Sequence, residues 1–335
     1  MSCNNRFFPA VVALGLAGCA TTERVAISVR HPAEIDMSAY RQIAIGEITG
    51  NLGQDFSDHL KETLIGSGQF QVVDRRRLQQ IFRELKLSQS DLSDPRYRKR
   101  IGRLLSGAAL VAGHAEGKVE SKVTHQDITR TETIKDENGN KVKKEVPVRI
   151  FVRTCAATGT GGIDIVSVET GEILKTKILR AGCSERAQDE KAAPDCRSED
   201  ELLACAQREN VAAMARALMP WSEVRMVPFA KDRLIPELEE GIRRASIGEM
   251  AEAAKIFQGA AAAAEVNPKI KPAVIAKAYW NLGLTYEYSD LYDDAIAALK
   301  KAYMIGADPK SLREQESVRG RQAEQAELRK QSGPR

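Results

Sequence analysis

Apolar residues near the start of the chain alternate between the spacing of strands and the spacing of helices. Short runs rich in β-branched residues at 25–29, 43–48 and 70–73 predict strands. Between residues 55 and 65, apolar residues recur at helical spacing and predict a helix, which glycines at 66 and 68 would end. The buried face of this helix is predicted to consist of Phe56, Leu60 and Leu64.

The same alternation continues up to residue 113. Asp74 stands where a helix N-cap belongs, ahead of apolar residues at helical spacing. Another helix is predicted around 101–105, and the apolar run 108–113 predicts a strand. Strands that alternate with helices predict an α/β fold, here a mixed sheet flanked by helices and carrying extended β-hairpins.

From residue 116 to residue 168 the pattern changes to long, polar, extended segments. Asn138-Gly139 is a strong signal for a hairpin turn. A hairpin centred on this turn would place Val146 opposite Thr131, and in that register neither face forms a continuous apolar band. Because an Arg or Lys that faces lipid costs about 2–4 kcal/mol at the bilayer midplane, we predict a hairpin that extends into solvent.

One more hairpin, a loop, a helix and a strand complete this half of the chain. The hairpin is predicted to turn at 169–172, and a polar loop is predicted over 183–198. Apolar residues at helical spacing predict a helix over 199–219. We expect residues 224–229 to return as a last strand that closes the sheet.

After Pro228 the pattern is almost entirely helical and contains an internal repeat. Matching residues lie 42 positions apart, and the pairs are Gly241 and Gly283, Ala253 and Ala295, Phe257 and Leu299, and Ala260 and Ala302. The second copy resembles a tetratricopeptide repeat, in which small residues let paired helices pack closely. Because two copies are too few to stand alone, we expect neighbouring elements to cap them.

The N-terminus carries a predicted localisation signal. Arg6 precedes an apolar run, 7–18, that is too short to span a bilayer. The run ends in Leu-Ala-Gly before Cys19, which resembles the lipobox of bacterial lipoproteins, where the peptide is cut before the cysteine and the cysteine is acylated. We therefore expect a lipid on Cys19 that holds the protein on the periplasmic face of the bacterial outer membrane, since residue 20 is not Asp.

These patterns divide the chain into four segments. We predict a lipoprotein signal peptide over 1–18, an α/β domain over 19–230, a tetratricopeptide-like helical domain over 231–309, and a polar helical or disordered tail over 310–335.

The cysteines fit an oxidising compartment. Two of the six lie in the signal peptide or carry the lipid, which leaves Cys155, Cys183, Cys196 and Cys205. We predict that these four form two disulfides, with three connectivities open. Zinc is the alternative, but no C-x-x-C pair is present and the histidines are scattered. We expect no metal and no cofactor.

One part of the α/β half resembles a known family. The string GSGQFQVVDRRRLQQIFRELKLSQSDL, followed by GRLLSGAALVAGHAEG, is similar to the curli-secretion lipoproteins of the CsgG/HfaB type. The matching positions are Phe70, Val72, Val73, Asp74, Arg75, Leu78, Glu84, Gly107, Ala108 and Gly113. The resemblance covers about residues 40–220 and implies a periplasmic α/β domain, with LpoB-type lipoproteins as cousins of the same fold. It also implies two hairpins per subunit that enter the outer membrane as a channel, which the predicted hairpin pattern does not favour.

Charge and motifs give no sign of an enzyme or of a nucleic-acid partner. The net charge is only +4. We interpret the basic clusters 75–77 and 96–103 as solvent-exposed faces of helices, and the alternative is a patch that binds anionic lipid headgroups. The GTGG stretch at 159–162 lacks the Lys-Ser/Thr ending of a phosphate loop and predicts a bulge or tight strand packing. No nucleophile-elbow motif is present.

We therefore expect a non-enzymatic lipoprotein that binds and helps to assemble an envelope or secretion machine. The alternative is a ring-forming, CsgG-like component of an outer-membrane secretion channel. The expected partners are the outer membrane, through the lipid, and a periplasmic or envelope protein, while a homo-oligomer is left open. The helical repeats would offer a groove to the protein partner, and the candidate residues are Tyr279, Tyr286, Tyr288 and Tyr292.

Overall fold

The computed structural model describes residues 22–73, 80, 83, 107–135, 137 and 139–332. Most of the predicted helix after Asp74, the predicted helix around 101–105 and both basic clusters lie outside the described residues. In chain order the described elements are β1 (Thr22–His31), β2 (Gln42–Thr49), α1 (Gly53–Ser67), β3 (Gln71–Val73), β4 (Ala108–Lys135), β5 (Lys141–Ser167), β6 (Ile173–Asp189), α2 (Glu199–Leu218), β7 (Trp221–Ala230), α3 (Glu237–Ser246), α4 (Met250–Glu265), α5 (Pro272–Glu287), α6 (Tyr292–Gly306) and α7 (Lys310–Gln331).

The chain divides into two compact units. The helical unit comprises Met1–His31 and Ser222–Glu327, and the sheet unit comprises Pro32–Trp221 and Leu328–Arg335. The division differs from the predicted boundary at residue 230, because β1 and nearly all of β7 belong with the helices.

The sheet unit is built on a mixed five-stranded sheet, as predicted, with strand order β3-β2-β4-β5-β6. Strand β2 runs parallel to β3 and β4, whereas β4, β5 and β6 form an antiparallel meander. Helix α1 buries its predicted face completely, since Phe56, Leu60 and Leu64 are all 0% exposed. In the same core lie Ile163 and Ile165 of β5 and, from α2, Met214 and Leu218.

Close contact between the helices and the sheet depends on glycine. Gly117 and Gly159 face each other in the β4–β5 register. A Cβ on Gly117 would lie 2.5 Å from Leu52, and one on Gly159 would lie 2.8 Å from Asn210 of α2. The GTGG stretch therefore lies inside β5 as a site of tight packing, which confirms that part of the prediction.

Two strand predictions are wrong in extent or in partner. Strand β6 continues to Asp189, so the predicted loop 183–198 is reduced to residues 190–198, and Cys183 lies in a strand. Strand β7 does not close the five-stranded sheet, because it pairs with β1 in a separate two-stranded sheet. The inner residues of this small sheet belong to the core of the helical unit, which explains the pairing.

In the helical unit, each copy of the internal repeat places a glycine of one helix against a large apolar side chain of the next helix. A Cβ on Gly241 would lie 2.4 Å from the ring of Phe257, and one on Gly283 would lie 2.6 Å from Leu299. Both glycines therefore let consecutive helices approach closely. The segment predicted as a polar helical or disordered tail forms a helix, α7, and it is not a detached tail, because it buries Ser311, Gln315 and Val318.

Candidate functional site

The predicted lipidation site, Cys19, lies outside the described residues. The first described residue is Thr22, where β1 begins. A lipid on Cys19 would therefore be attached three residues before an ordered strand of the helical unit.

The four remaining cysteines form two disulfides, as predicted. Cys155 of β5 is bonded to Cys196 in the loop after β6, and Cys183 of β6 is bonded to Cys205 of α2. Cys155 belongs to a small apolar cluster together with Leu202 of α2, and Cys183 and Cys196 pack against this cluster. The disulfides thus tie the end of β6 and the following loop to the sheet and to α2.

The disulfides leave none of these four thiols to bind zinc. In the part of the chain that the structure describes, no group of three or more His, Cys, Asp or Glu residues could hold a metal ion.

Strands β4 and β5 extend beyond the rest of the sheet as a two-stranded ribbon. Strand β2 leaves β4 at His114, and β6 leaves β5 at Phe151. We call residues 126–135 and 141–150 the ribbon. Its connection runs between the paired residues Lys135 and Lys141, so the observed register differs by one residue from the predicted register.

This shift of one residue changes the faces of the ribbon. Val146 lies opposite Arg130, and Val148 lies opposite Ile128. Because pairs alternate between faces, the shift brings together on one face aliphatic residues that the predicted register divided between two. Six of the ten positions on one side are aliphatic, and we call this side the apolar face: Ile128, Ile134, Val142, Val146, Val148 and Ile150.

The apolar face is interrupted by charge near its middle. Glu132 and Lys144 lie directly opposite each other on it, and Arg130 forms ion pairs with Glu132 and Glu190. Near the tip of the ribbon, Ile134 and Val142 form a pair that is 40% and 44% exposed. The opposite face carries no aliphatic residue other than Pro147.

The four candidate tyrosines are engaged within the helical unit. Tyr279 accepts a hydrogen bond of 2.6 Å from Lys301, and Tyr292 donates one of 2.7 Å to Asp290. The ring of Tyr288 lies 4.5 Å from the guanidinium carbon of Arg321. Tyr286 is partly buried against the core, and burial raises the pKa of its hydroxyl. These contacts stabilise the unit, and a role in partner binding stays a prediction.

One face of α5 binds an extended segment of the same chain, residues 228–232. The side chain of Asn281 accepts a hydrogen bond of 2.7 Å from the Ala230 N–H and donates one of 2.8 Å to the Ala230 carbonyl. Trp280 Nε1 donates to the Pro228 carbonyl, at 3.1 Å. Lys277 donates to the Lys231 carbonyl and forms an ion pair with Asp232. This part of the helical surface is therefore occupied intramolecularly.

Replacing Asn281 with alanine should destabilise the protein. The substitution leaves both backbone groups of the buried Ala230 without their partner, which we expect to lower the free energy of unfolding by about 2–3 kcal/mol. Urea unfolding measures the loss. Asn267→Ala in an exposed turn is the control and should cost less than about 1 kcal/mol. Equal effects of the two variants would contradict the assigned role of Asn281.

A buried charge cluster at the end of α5 was not predicted from the sequence. Glu287 is 0% exposed, and its Oε1 lies 3.3 Å from Nε of Arg321 on α7. Neither atom forms a hydrogen bond within the structure, although the pair satisfies the distance of an ion pair. Burial and the neighbouring Glu314 raise the pKa of Glu287 to about 8, against the opposing effects of Arg321 and Arg225. We take burial to dominate, because the contact with Arg321 lacks hydrogen-bond geometry.

Among the described residues, no helix is long and apolar enough to cross a membrane.

The N-terminal part of the chain is similar to an envelope family. Residues 15–117 match the family model of the curli production assembly/transport component CsgG. The match supports a relationship to the CsgG family, which is associated with the bacterial outer membrane and with curli secretion and assembly.

The match to CsgG is shorter than the resemblance predicted from the sequence. It runs through β1, β2, α1 and β3 to Gly117 of β4. It therefore includes neither the ribbon nor the helices that follow α1 in the described structure. No curated protein matches the chain.

Proposed function

We propose that this chain is an outer-membrane-anchored periplasmic lipoprotein that acts as a non-enzymatic binding and assembly factor for an envelope or secretion machine. Three features support the proposal. The CsgG match indicates an envelope protein related to curli secretion. The lipobox ends at Cys19, directly ahead of β1. The two disulfides fit an oxidising compartment such as the periplasm.

One observation favours an assembly factor over a channel component, namely the disulfide-bonded loop after β6. In the antiparallel meander, the β4–β5 connection and loop 190–198 lie at one end, and the β5–β6 connection lies at the other. A second hairpin that enters the same membrane as the ribbon would have to grow from loop 190–198. The Cys155–Cys196 disulfide instead holds this loop against β5.

The apolar face of the ribbon favours the second candidate, a ring-forming channel component. An aliphatic strand face opposite a polar one is what a lipid-contacting hairpin requires. Arg130, Glu132 and Lys144 interrupt that face, and this supports keeping the channel as the alternative rather than as the main proposal.

The mass of the purified, lipidated protein in detergent distinguishes the two candidates. We expect light scattering to show a monomer or a small oligomer, both for the lipidated chain and for a soluble form that lacks Cys19. A large closed ring formed only by the lipidated chain would contradict the assembly-factor proposal and support the channel component.

Two double variants of the ribbon test whether its apolar face enters the membrane. Ile134→Lys with Val142→Lys places charge on the apolar face, and Thr131→Lys with Thr133→Lys places the same charge on the opposite face. An assembly factor that does not insert its ribbon should stay membrane-bound with both pairs. Loss of a ring or of membrane integration with the first pair alone would support the channel.

A further inference from the structure

The small β1–β7 sheet has one buried and one uncovered face. Its inner residues lie in the core of the helical unit, where Val25, Val227 and Phe229 are 2%, 2% and 0% exposed. The alternate positions point outward. On this outer face, Val224 is 68% exposed and Met226 is 52% exposed, so two large apolar side chains lie side by side in water.

The outer face also carries positive charge only. The exposed outer positions are Thr22, Arg24, Ala26, Ser28 and Arg30 of β1, and Ser222, Val224, Met226 and Pro228 of β7. This set contains two arginines and no acidic residue, whereas Glu23 and Glu223 occupy positions of the opposite phase. A surface that combines arginine with exposed aliphatic side chains suits a partner that is anionic at its edge and apolar beneath, as a phospholipid surface is.

The predicted lipid anchor keeps this face close to a bilayer. Thr22, the first residue of β1, follows Cys19 by three residues. Because an extended chain spans at most about 3.6 Å per residue, β1 begins within roughly 11 Å of the lipidated cysteine. The outer face is therefore tethered within reach of the headgroups.

We propose that the outer face of the β1–β7 sheet docks on the bilayer to which the lipid anchors the chain, with anionic phospholipid as its ligand. Arg24 and Arg30 contact lipid phosphates, and Val224 and Met226 enter the boundary between headgroups and acyl chains. The docking rests on the lipid anchor of the proposed function and deepens it, because it fixes which side of the helical unit faces the membrane.

Quenching by brominated lipid tests the docked face directly. Lipidated Met226→Trp protein is reconstituted in vesicles of phosphatidylethanolamine and phosphatidylglycerol, with and without brominated phosphatidylcholine. The wild type supplies the background from Trp221 and Trp280. Ile178→Trp is the control, since Ile178 is 74% exposed on the five-stranded sheet. We expect quenching of the added tryptophan at 226 and little at 178.

Equal quenching at the two positions, while the lipidated protein still floats with the vesicles, would overturn the docking and leave the anchor intact. Such a result would assign the face to a protein partner instead. Failure of the wild-type chain to float, or absence of a lipid on Cys19 by mass spectrometry, would be a failure of the proposed function itself.

A second measurement needs no lipidation. The mature chain with Cys19→Ser should bind phosphatidylglycerol vesicles weakly, and Arg24→Ser with Arg30→Ser should lower the partition coefficient about 30-fold, since each basic residue near an anionic surface contributes a factor of about five. Arg180→Ser with Arg208→Ser is the matched control and should leave partitioning unchanged. Equal loss with both pairs would contradict a specific docking face.

Discussion

Replacing Glu287 with glutamine should remove a loss of stability that the wild-type chain shows between about pH 5 and pH 8. The pKa of Glu287 is raised from 4.5 to about 8, chiefly by burial, so the native state binds a proton that the unfolded state releases in this range. Stability is therefore highest below the unfolded pKa and falls as the pH rises to the folded pKa. Each pKa unit is worth about 1.4 kcal/mol, so the total loss is on the order of 4–5 kcal/mol.

The comparison is made by urea unfolding at a series of pH values. Glutamine has nearly the shape of the protonated carboxyl group and cannot ionise, so the variant should match the wild type at low pH and exceed it at pH above about 8. Glu252→Gln is the matched control, because Glu252 lies exposed on α4 and pairs only with Lys255 among the contacts described. Parallel curves for wild type and Glu287→Gln would show that the carboxyl group stays ionised beside Arg321.

Local periodicity predicted the helices of the described chain well. The face of α1 follows from the spacing of Phe56, Leu60 and Leu64, and all three are fully buried. The turn predicted at Asn138-Gly139 falls within the connection between the paired residues Lys135 and Lys141, but the sequence could not fix how many residues that connection contains. Strand side chains alternate with a period of two, so an error of one residue in the register assigned the aliphatic residues of β4 and those of β5 to opposite faces, although they share one.

Contacts between residues far apart in the chain could not be predicted from the sequence. The pattern of β7 predicts a strand but cannot tell that it pairs with β1 rather than with the five-stranded sheet. Asn281 and Glu287 lie on a largely apolar helix, and their polarity within that pattern was a signal of a buried role. Their partners, Ala230 and Arg321, come from β7 and α7, which only the fold brings to α5.

Loss of either disulfide should weaken the sheet unit more than any single surface change. Cys155–Cys196 closes a separation of 41 residues, and Cys183–Cys205 closes one of 22. Constraint of the unfolded chain predicts that replacing both cysteines of one pair with serine lowers the free energy of unfolding by about 3–4 kcal/mol, slightly more for the longer loop. Urea unfolding of the soluble form without Cys19 measures both variants.

The position of the two disulfides makes their loss a test of the proposed function as well. Both hold the region after β6, where a second hairpin would have to form, so their removal should free loop 190–198 and raise its susceptibility to protease. Reduction of the wild type should reproduce this change, whereas a variant with all four cysteines replaced should not respond to reductant. If mass spectrometry found another pairing, or if the reduced protein unfolded at the same urea concentration as the oxidised one, the disulfide-bonded loop would no longer support an assembly factor over a channel.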